Sequence, residues 1–225
     1  MLVKDWMSKE VITIDEDDSM RMAIKLMKEY KIRSLPVMKK GKLVGILSNG
    51  DIKRASASDA TSLEIHEMKY LIDKILIRDI MVKHPITASP LQTVDEVADL
   101  LLKENISSAP VLDNAGNLIG IITKSDILKV MVSLSGSNRR GIDFGFEIPD
   151  APGSIKEITD IFRSYGGRLA SILISYRQAP AGSRHVYIRV YHVNRRELEA
   201  LKSDLFSKFK VLYMIDYIEQ SREVF

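Results

Sequence analysis

Two short stretches carry residue types able to recognise a ligand. Ser48 is followed three residues later by Asp51, and Thr123 by Asp126. Each hydroxyl stands where a predicted strand ends and a predicted helix begins. The unsatisfied N–H groups of a helix start favour phosphate. An aspartate three residues on can accept hydrogen bonds from two ligand hydroxyls at once. The same Ser/Thr-x-x-Asp spacing is close to an N-capping box, in which these atoms serve only the helix. The doubling does not separate the two readings, because a duplicated cap would double too.

Other chemistries find little support. The chain has no cysteine, which excludes disulfides, thiolate nucleophiles and Cys-ligated metals. Its four histidines, at 66, 84, 185 and 192, lack metal-ligand spacing. There is no phosphate-cradling Walker loop, G-x-G-x-x-G, H-E-x-x-H or G-x-S-x-G. Asp143-Phe144-Gly145 mimics a kinase magnesium triplet, but it lies in an alternating strand pattern without the companion loops. The acidic run Asp15–Asp18 reads as a solvated loop entering a helix. Asp113–Asn117 resembles half a calcium loop without the distal glutamate, and it sits where a hairpin turn is expected. No catalytic constellation is present, so no catalysis is expected.

The elements around the paired motifs occur twice. With Val3 laid on Ile77, an offset of 74, VKDWM falls on IRDIM and AIKLMKEYKIRSLPV on VADLLLKENISSAPV. One inserted residue near Ala115 raises the offset to 75, and KLVGILSNGDI falls on NLIGIITKSDI. Each copy reads β-α-β-β-α. A short strand (Val11–Ile14; Ile86–Ala88) precedes an amphipathic helix. The first helix covers Ser19–Glu29, with Met20, Ala23, Ile24, Leu26 and Met27 apolar. The second covers Thr93–Glu104, with Val94, Val97, Ala98, Leu101 and Leu102. Ser19 and Thr93 suit N-caps. A hairpin follows, and a second helix begins at Asn49 or Lys124. Between the copies, LEIHEMKYLIDKIL predicts a helix capped by Thr61 or Ser62, with Leu63, Met68, Leu71, Ile72 and Ile75 on one face.

The Pro36-Val37 and Pro110-Val111 hairpin strands, with Gly45–Asp51 and Gly120–Asp126, resemble a tandem pair of cystathionine-β-synthase (CBS) domains, a Bateman module. The resemblance covers residues 1–135. It implies two repeats about a pseudo-twofold axis, with clefts that take an adenosine-containing nucleotide: AMP, ADP, ATP or an S-adenosylmethionine-like ligand. It places Thr13 and Thr87 on the strand beside adenine, with Pro36, Pro110 and Ile121 nearby. The resemblance also implies that Arg33 points at phosphates, with Ser107 as its uncharged counterpart. Ser48, Asp51, Thr123, Lys124 and Asp126 complete the set. The two clefts are therefore expected to differ.

After Val132, SLSGSNRRG reads as a linker. Beyond it, Ile142, Phe144, Phe146 and Ile148 alternate with polar residues and glycine, so a half-buried strand is expected. Ser154 is expected to cap a helix to Tyr165, ended by Gly166-Gly167. Strands at Leu169–Tyr176 and His185–Val193, a helix at Arg195–Lys208 and a strand at Val211–Ile218 complete a ferredoxin-like βαββαβ order. The Asp150, Pro152 and Gly153 turn resembles an ACT domain, which implies sheet pairing and an amino acid or small metabolite at that loop. Arg168 stands where amino-acid-binding members often carry asparagine, and it could meet a carboxylate. The alternative role is dimerisation alone. The whole arrangement resembles the acetoin-utilisation AcuB-like proteins, which implies a link to acetoin or carbon metabolism.

The expected fold class is α+β/α/β. The expected divisions are 1–55 and 77–133 for the repeats, 56–76 for a helical linker, 134–141 for a second linker and 142–225 for the ACT-like domain. Residues 1–140 carry 21 basic and 19 acidic side chains, and residues 141–225 carry 12 and 11. Neither part holds the clustered basic face that nucleic acid requires. No apolar run approaches a membrane span, and no signal peptide is apparent, so a cytoplasmic location is expected. Together these features predict a non-catalytic homodimeric or larger sensor acting on a regulated protein. The alternatives are a scaffold with empty clefts and a DNA-associated regulator.

Overall fold

The computed structural model describes residues 1–59 and 74–225. Residues 60–73, and with them nearly all of the expected inter-repeat helix, lie outside the described residues. The chain divides into two compact units, Met1–Leu128 and Lys129–Phe225.

In the first unit, copy one forms β1 (Ile14–Asp15), α1 (Met20–Glu29), β2 (Ser34–Lys39), β3 (Lys42–Ser48) and α2 (Asn49–Asp59). Copy two forms α3 (Ile77–Ile80), β4 (Val82–Lys83), α4 (Val94–Lys103), β5 (Ser108–Leu112) and β6 (Leu118–Thr123). The last helix, α5 (Lys124–Leu134), crosses into the second unit. Helix α1 buries Met20, Ala23 and Met27, and α4 buries the matching Val94, Val97 and Leu101. The spacing i, i+3, i+7 explains why the apolar stripe is narrower than the composition suggests. Ile24 and Leu102 lie off it and are exposed. Ser19 and Thr93 both cap, and Glu96 closes a full capping box with Thr93.

The two copies exchange their leading segments. Strand β3 pairs with β2 and also with β4, through Gly45↔Lys83 and Ile46↔Val82. Reciprocally, Ser8 pairs with Ile121 on β6. Ile77 is buried in the core of copy one, among Leu35, Val37 and Leu47. Val3 is buried in the core of copy two, among Val97, Val111 and Ile122. Met81 crosses Gly45 and Met7 crosses Gly120 so closely that a Cβ at either glycine would stand 2.4 Å from the sulfur. The glycines thus admit the crossing methionines.

Both acidic candidates for cation binding are engaged internally. Glu16 pairs with Lys39, and Asp17 with Arg78. Oδ1 of Asp113 accepts from the amides of Ala115 and Asn117 at 2.9 and 2.8 Å, stapling the hairpin turn. Its hydrogen bonds to the Asn117 side chain and amide hold that carboxyl below the ordinary carboxylate value. No cluster able to hold a metal occurs among the described residues.

The second unit is an antiparallel sheet with two helices. Its elements are β7 (Ile142–Pro149), α6 (Ser154–Ser164), β8 (Arg168–Ser175), β9 (Ser183–Tyr191), α7 (Leu198–Lys208), β10 (Lys210–Asp216) and β11 (Ser221–Val224). The order β11-β10-β7-β9-β8 contains the ferredoxin-like arrangement and adds an edge strand, β11, that the sequence pattern did not reveal. The inward faces of β7 and β9 meet Ile158, Phe162, Leu201 and Leu205 in one core. Asp143-Phe144-Gly145 is plain strand. Asp143 pairs with Arg189, Phe144 is core, and Gly145 makes room for the Tyr213 ring. Ser154 is not the cap of α6 but its first residue. Gly153 holds the cap position at φ 88°, a conformation glycine adopts without strain. The Ser154 hydroxyl instead donates to the Ala151 carbonyl at 2.9 Å.

Candidate functional site

The strand–helix junctions place the two motifs in one geometry. At the first, Asp51 Oδ2 accepts from the Ser48 amide at 2.7 Å and from the Ser48 hydroxyl. The Asp51 amide returns a bond to Ser48 Oγ at 3.3 Å. At the second, Asp126 Oδ2 accepts from the Thr123 amide at 3.0 Å and hydroxyl at 2.7 Å, and the Asp126 amide donates to Thr123 Oγ1 at 3.2 Å. Both are reciprocal capping boxes. Both carboxylates are buried. Asp51 Oδ1 also takes an ion pair from Arg54, whose side chain is exposed.

Thr13 and Thr87 fall outside the strands expected to carry them, whereas the other first-unit candidates border the junctions or lie on the hairpins that lead to them. The Asn49 amide donates to the Arg33 carbonyl, and the Lys124 amide to the Ser107 carbonyl, each at 3.0 Å. Arg33 and Ser107 are exposed beside their junctions, so one is cationic and the other neutral. Pro36 pairs in register with Ile46, and Pro110 with Ile121. Thr13 precedes β1, which runs parallel to β2. Thr87 precedes Ala88, whose amide reaches the Pro110 carbonyl at 2.9 Å.

Two residues that the motif reading missed join the junctions. Ser34 stands opposite Ser48 across the β2–β3 pair, and Ser108 stands opposite Thr123 across β5–β6. Their hydroxyls meet at 2.9 Å, both buried. Ser34 and Ser108 are 74 residues apart, the repeat offset itself, so the contact joins equivalent positions of the two copies. The repeated Ser-x-Pro-Val pattern was the available signal.

In the second unit, Asp150 pairs with Arg184 at 3.1 Å and its amide donates to the Gly182 carbonyl. Pro152 and Gly153 complete the turn. Arg168 does not join them. It starts β8 opposite Tyr191, whereas Asp150 follows Pro149, which pairs with Ser183 at the other end of β9. A strand of that length separates them by roughly 25 Å. Within one chain, the expected partnership of Arg168 with the loop is therefore corrected.

Residues 3–58 and 77–133 match the family model described as CBS domain. The uncharacterized protein MJ1426 of Methanocaldococcus jannaschii is 33% identical, over 59% of this chain and 92% of that one. The CBS domain pair of protein MJ0100, solved with 5′-methylthioadenosine and S-adenosyl-L-methionine, is 35% identical with a TM-score of 0.51, covering 59% of this chain and 96% of that one. The Vibrio cholerae protein assigned to acetoin utilization (AcuB) is 25% identical with a TM-score of 0.50, covering 60% of this chain and 92% of that one.

Proposed function

Because the chain belongs to the CBS-domain family, we propose that its first unit is a regulatory module that binds an adenosine-containing ligand and performs no chemistry of its own. The observation that carries this reading is the twofold junction, in which Ser48–Asp51 and Thr123–Asp126 repeat one geometry and connect through Ser34 and Ser108. The ligands of the MJ0100 pair support the chemical class. A ribose would take acceptor positions on the aspartates, displacing the solvent-exposed Arg54 at the first junction. Arg33 would favour a phosphorylated ligand at that junction, and Ser107 a less charged one at the second. Ligand binding across both copies shifts an equilibrium between packings that a regulated protein reads.

The second unit serves, on this reading, as an ACT-like domain. It pairs two chains through its edge strand β8, where Ile172 and Ile174 are exposed, as is Tyr176 just beyond the strand. Its Asp150–Gly153 loop is the place for an amino acid or small metabolite. A cytoplasmic role in acetoin or carbon metabolism accords with the AcuB likeness. No helix among the described residues is long and apolar enough to cross a membrane.

A scaffold without ligand is the competing reading, favoured by the capping bonds that already engage both carboxylates. Calorimetry with AMP, ATP and S-adenosylmethionine separates the two. Asparagine caps as well as aspartate but lacks the charge and one acceptor oxygen. Asp51→Asn or Asp126→Asn should weaken its site by roughly 10–150-fold. Equal affinity in wild type and both variants, or no binding by any of the three ligands, refutes the ribose role.

A further inference from the structure

The second unit contains a cavity of about 560 Å³ near the β10–β11 turn, where residues 137–140 lead into β7. Four arginines line it: Arg139, Arg140, Arg189 and Arg222. Arg189 is buried, with 7% of its surface exposed. Both of its hydrogen bonds leave from Nη2, to Asp143 at 2.9 Å and to the Tyr217 hydroxyl at 3.0 Å. Its guanidinium lies 4.6 Å above the Tyr217 ring. Its Nε is buried with no hydrogen-bond partner among the described residues. That atom is closed off from solvent, so the Arg189 guanidinium faces the cavity as fixed charge rather than as a free donor. Arg140 and Arg222 are exposed and enter no ion pair among the described residues. Arg139 rests over Tyr191.

The one carboxylate in the lining does not offset this charge. Asp216 is 1% exposed and is held by both nitrogens of the Arg195 fork. It also accepts from the amides of Ile218 and Glu219 at 2.9 and 3.2 Å. Its charge is thus answered by the wall. Asp143 offsets one of the four arginines, leaving an excess of positive charge in a concave space of small-molecule size.

We propose that this cavity binds a phosphorylated small metabolite. Guanidinium forks match phosphoryl oxygens two at a time, and a dianionic group suits several converging cations better than a single carboxylate does. Arg140 and Arg222 supply the accessible forks, and Arg189 supplies fixed charge at the base. The Asp150–Gly153 loop lies at the other end of β7 from Ile142, so this is a separate site.

Calorimetry of the full chain with inorganic pyrophosphate at low salt tests the assignment. Arg140→Ala/Arg222→Ala should weaken binding at least about ten-fold without changing the apo melting temperature, since both side chains are exposed. Arg163→Ala/Arg177→Ala removes the same charge elsewhere in the unit and should leave the affinity unchanged. Absence of heat up to about 1 mM pyrophosphate refutes the site, and so does equal weakening by both arginine pairs. Tighter binding of citrate than of pyrophosphate overturns the phosphoryl class.

Discussion

The Ser34–Ser108 contact supports a double-mutant cycle whose outcome differs sharply from that of an ordinary surface pair. The hydroxyls are 2.9 Å apart, with 8% and 6% exposure for the two residues. Ser34→Ala or Ser108→Ala alone removes one partner and leaves the other hydroxyl buried. That costs about 1–3 kcal/mol. Removing both hydroxyls also removes the desolvation penalty, so the double variant should lose no more than one single variant. Independent sites would instead sum, within about 0.5 kcal/mol. The expected coupling is therefore at least about 1 kcal/mol, equivalent to roughly 2–4 °C in melting temperature for a chain of this size. The assay is urea unfolding followed by fluorescence. The chain's one tryptophan is Trp6, in the leading segment of the first unit, so its signal reads that unit apart from the second. Additive losses in the double variant would refute the inference that these hydroxyls share one buried bond.

Val3→Ala should destabilise the first unit by about 1–3 kcal/mol in the same assay, although Val3 precedes the elements of copy one and packs in copy two; a loss below about 0.5 kcal/mol, the surface range, would contradict the exchange. Gly145→Ala would set a Cβ 2.5 Å from Tyr213 Cε1 and should cost about 1–3 kcal/mol, read by near-ultraviolet dichroism of the tyrosines. Burial pushes the Asp216 carboxyl up, but the Arg195 hydrogen bond and the Ile218 and Glu219 amides outweigh it and hold the pKa below its ordinary value. A depressed folded pKa contributes stability above the unfolded value and loses it as pH falls through the folded one. Arg195→Ala should therefore move the acid-unfolding midpoint of the second unit to higher pH, and an unchanged midpoint would contradict that account.

What could be read along the chain was whatever has a local period or a local spacing. The repeat, the capped helices, the Pro-Val hairpins and the alternation of Ile142–Ile148 all belong to that kind, and so do the capping boxes, whose partners are three residues apart. The exchange of leading segments was not legible. Val3–Asp5 and Ile77–Ile80 are too short for periodicity, and their partners lie in the other copy. The same holds for Ser34 and Ser108, which look like ordinary strand-start serines until the copies face each other. Exposed Ile24 and Leu102 show that an apolar residue near a helix face need not be on its buried line. The basic cavity was not legible either, because its arginines come from the linker, β9 and β11, each unremarkable alone.

The reciprocal exchange also constrains how the first unit can be made. A ribosome delivers the chain from its N-terminus at about 5–20 residues per second. Met1, Val3 and Ser8 bond to Val94, Gln92 and Ile121, so this leading segment has no place to dock until roughly a hundred more residues have appeared, on the order of 5–20 s later at that rate. During that interval copy one also lacks its fourth strand, and the outer edge of β3 stands open. An open edge is where strands of separate chains pair wrongly. Translation rate across residues 60–120, rather than the final stability of the fold, would then govern how much of the nascent protein escapes aggregation.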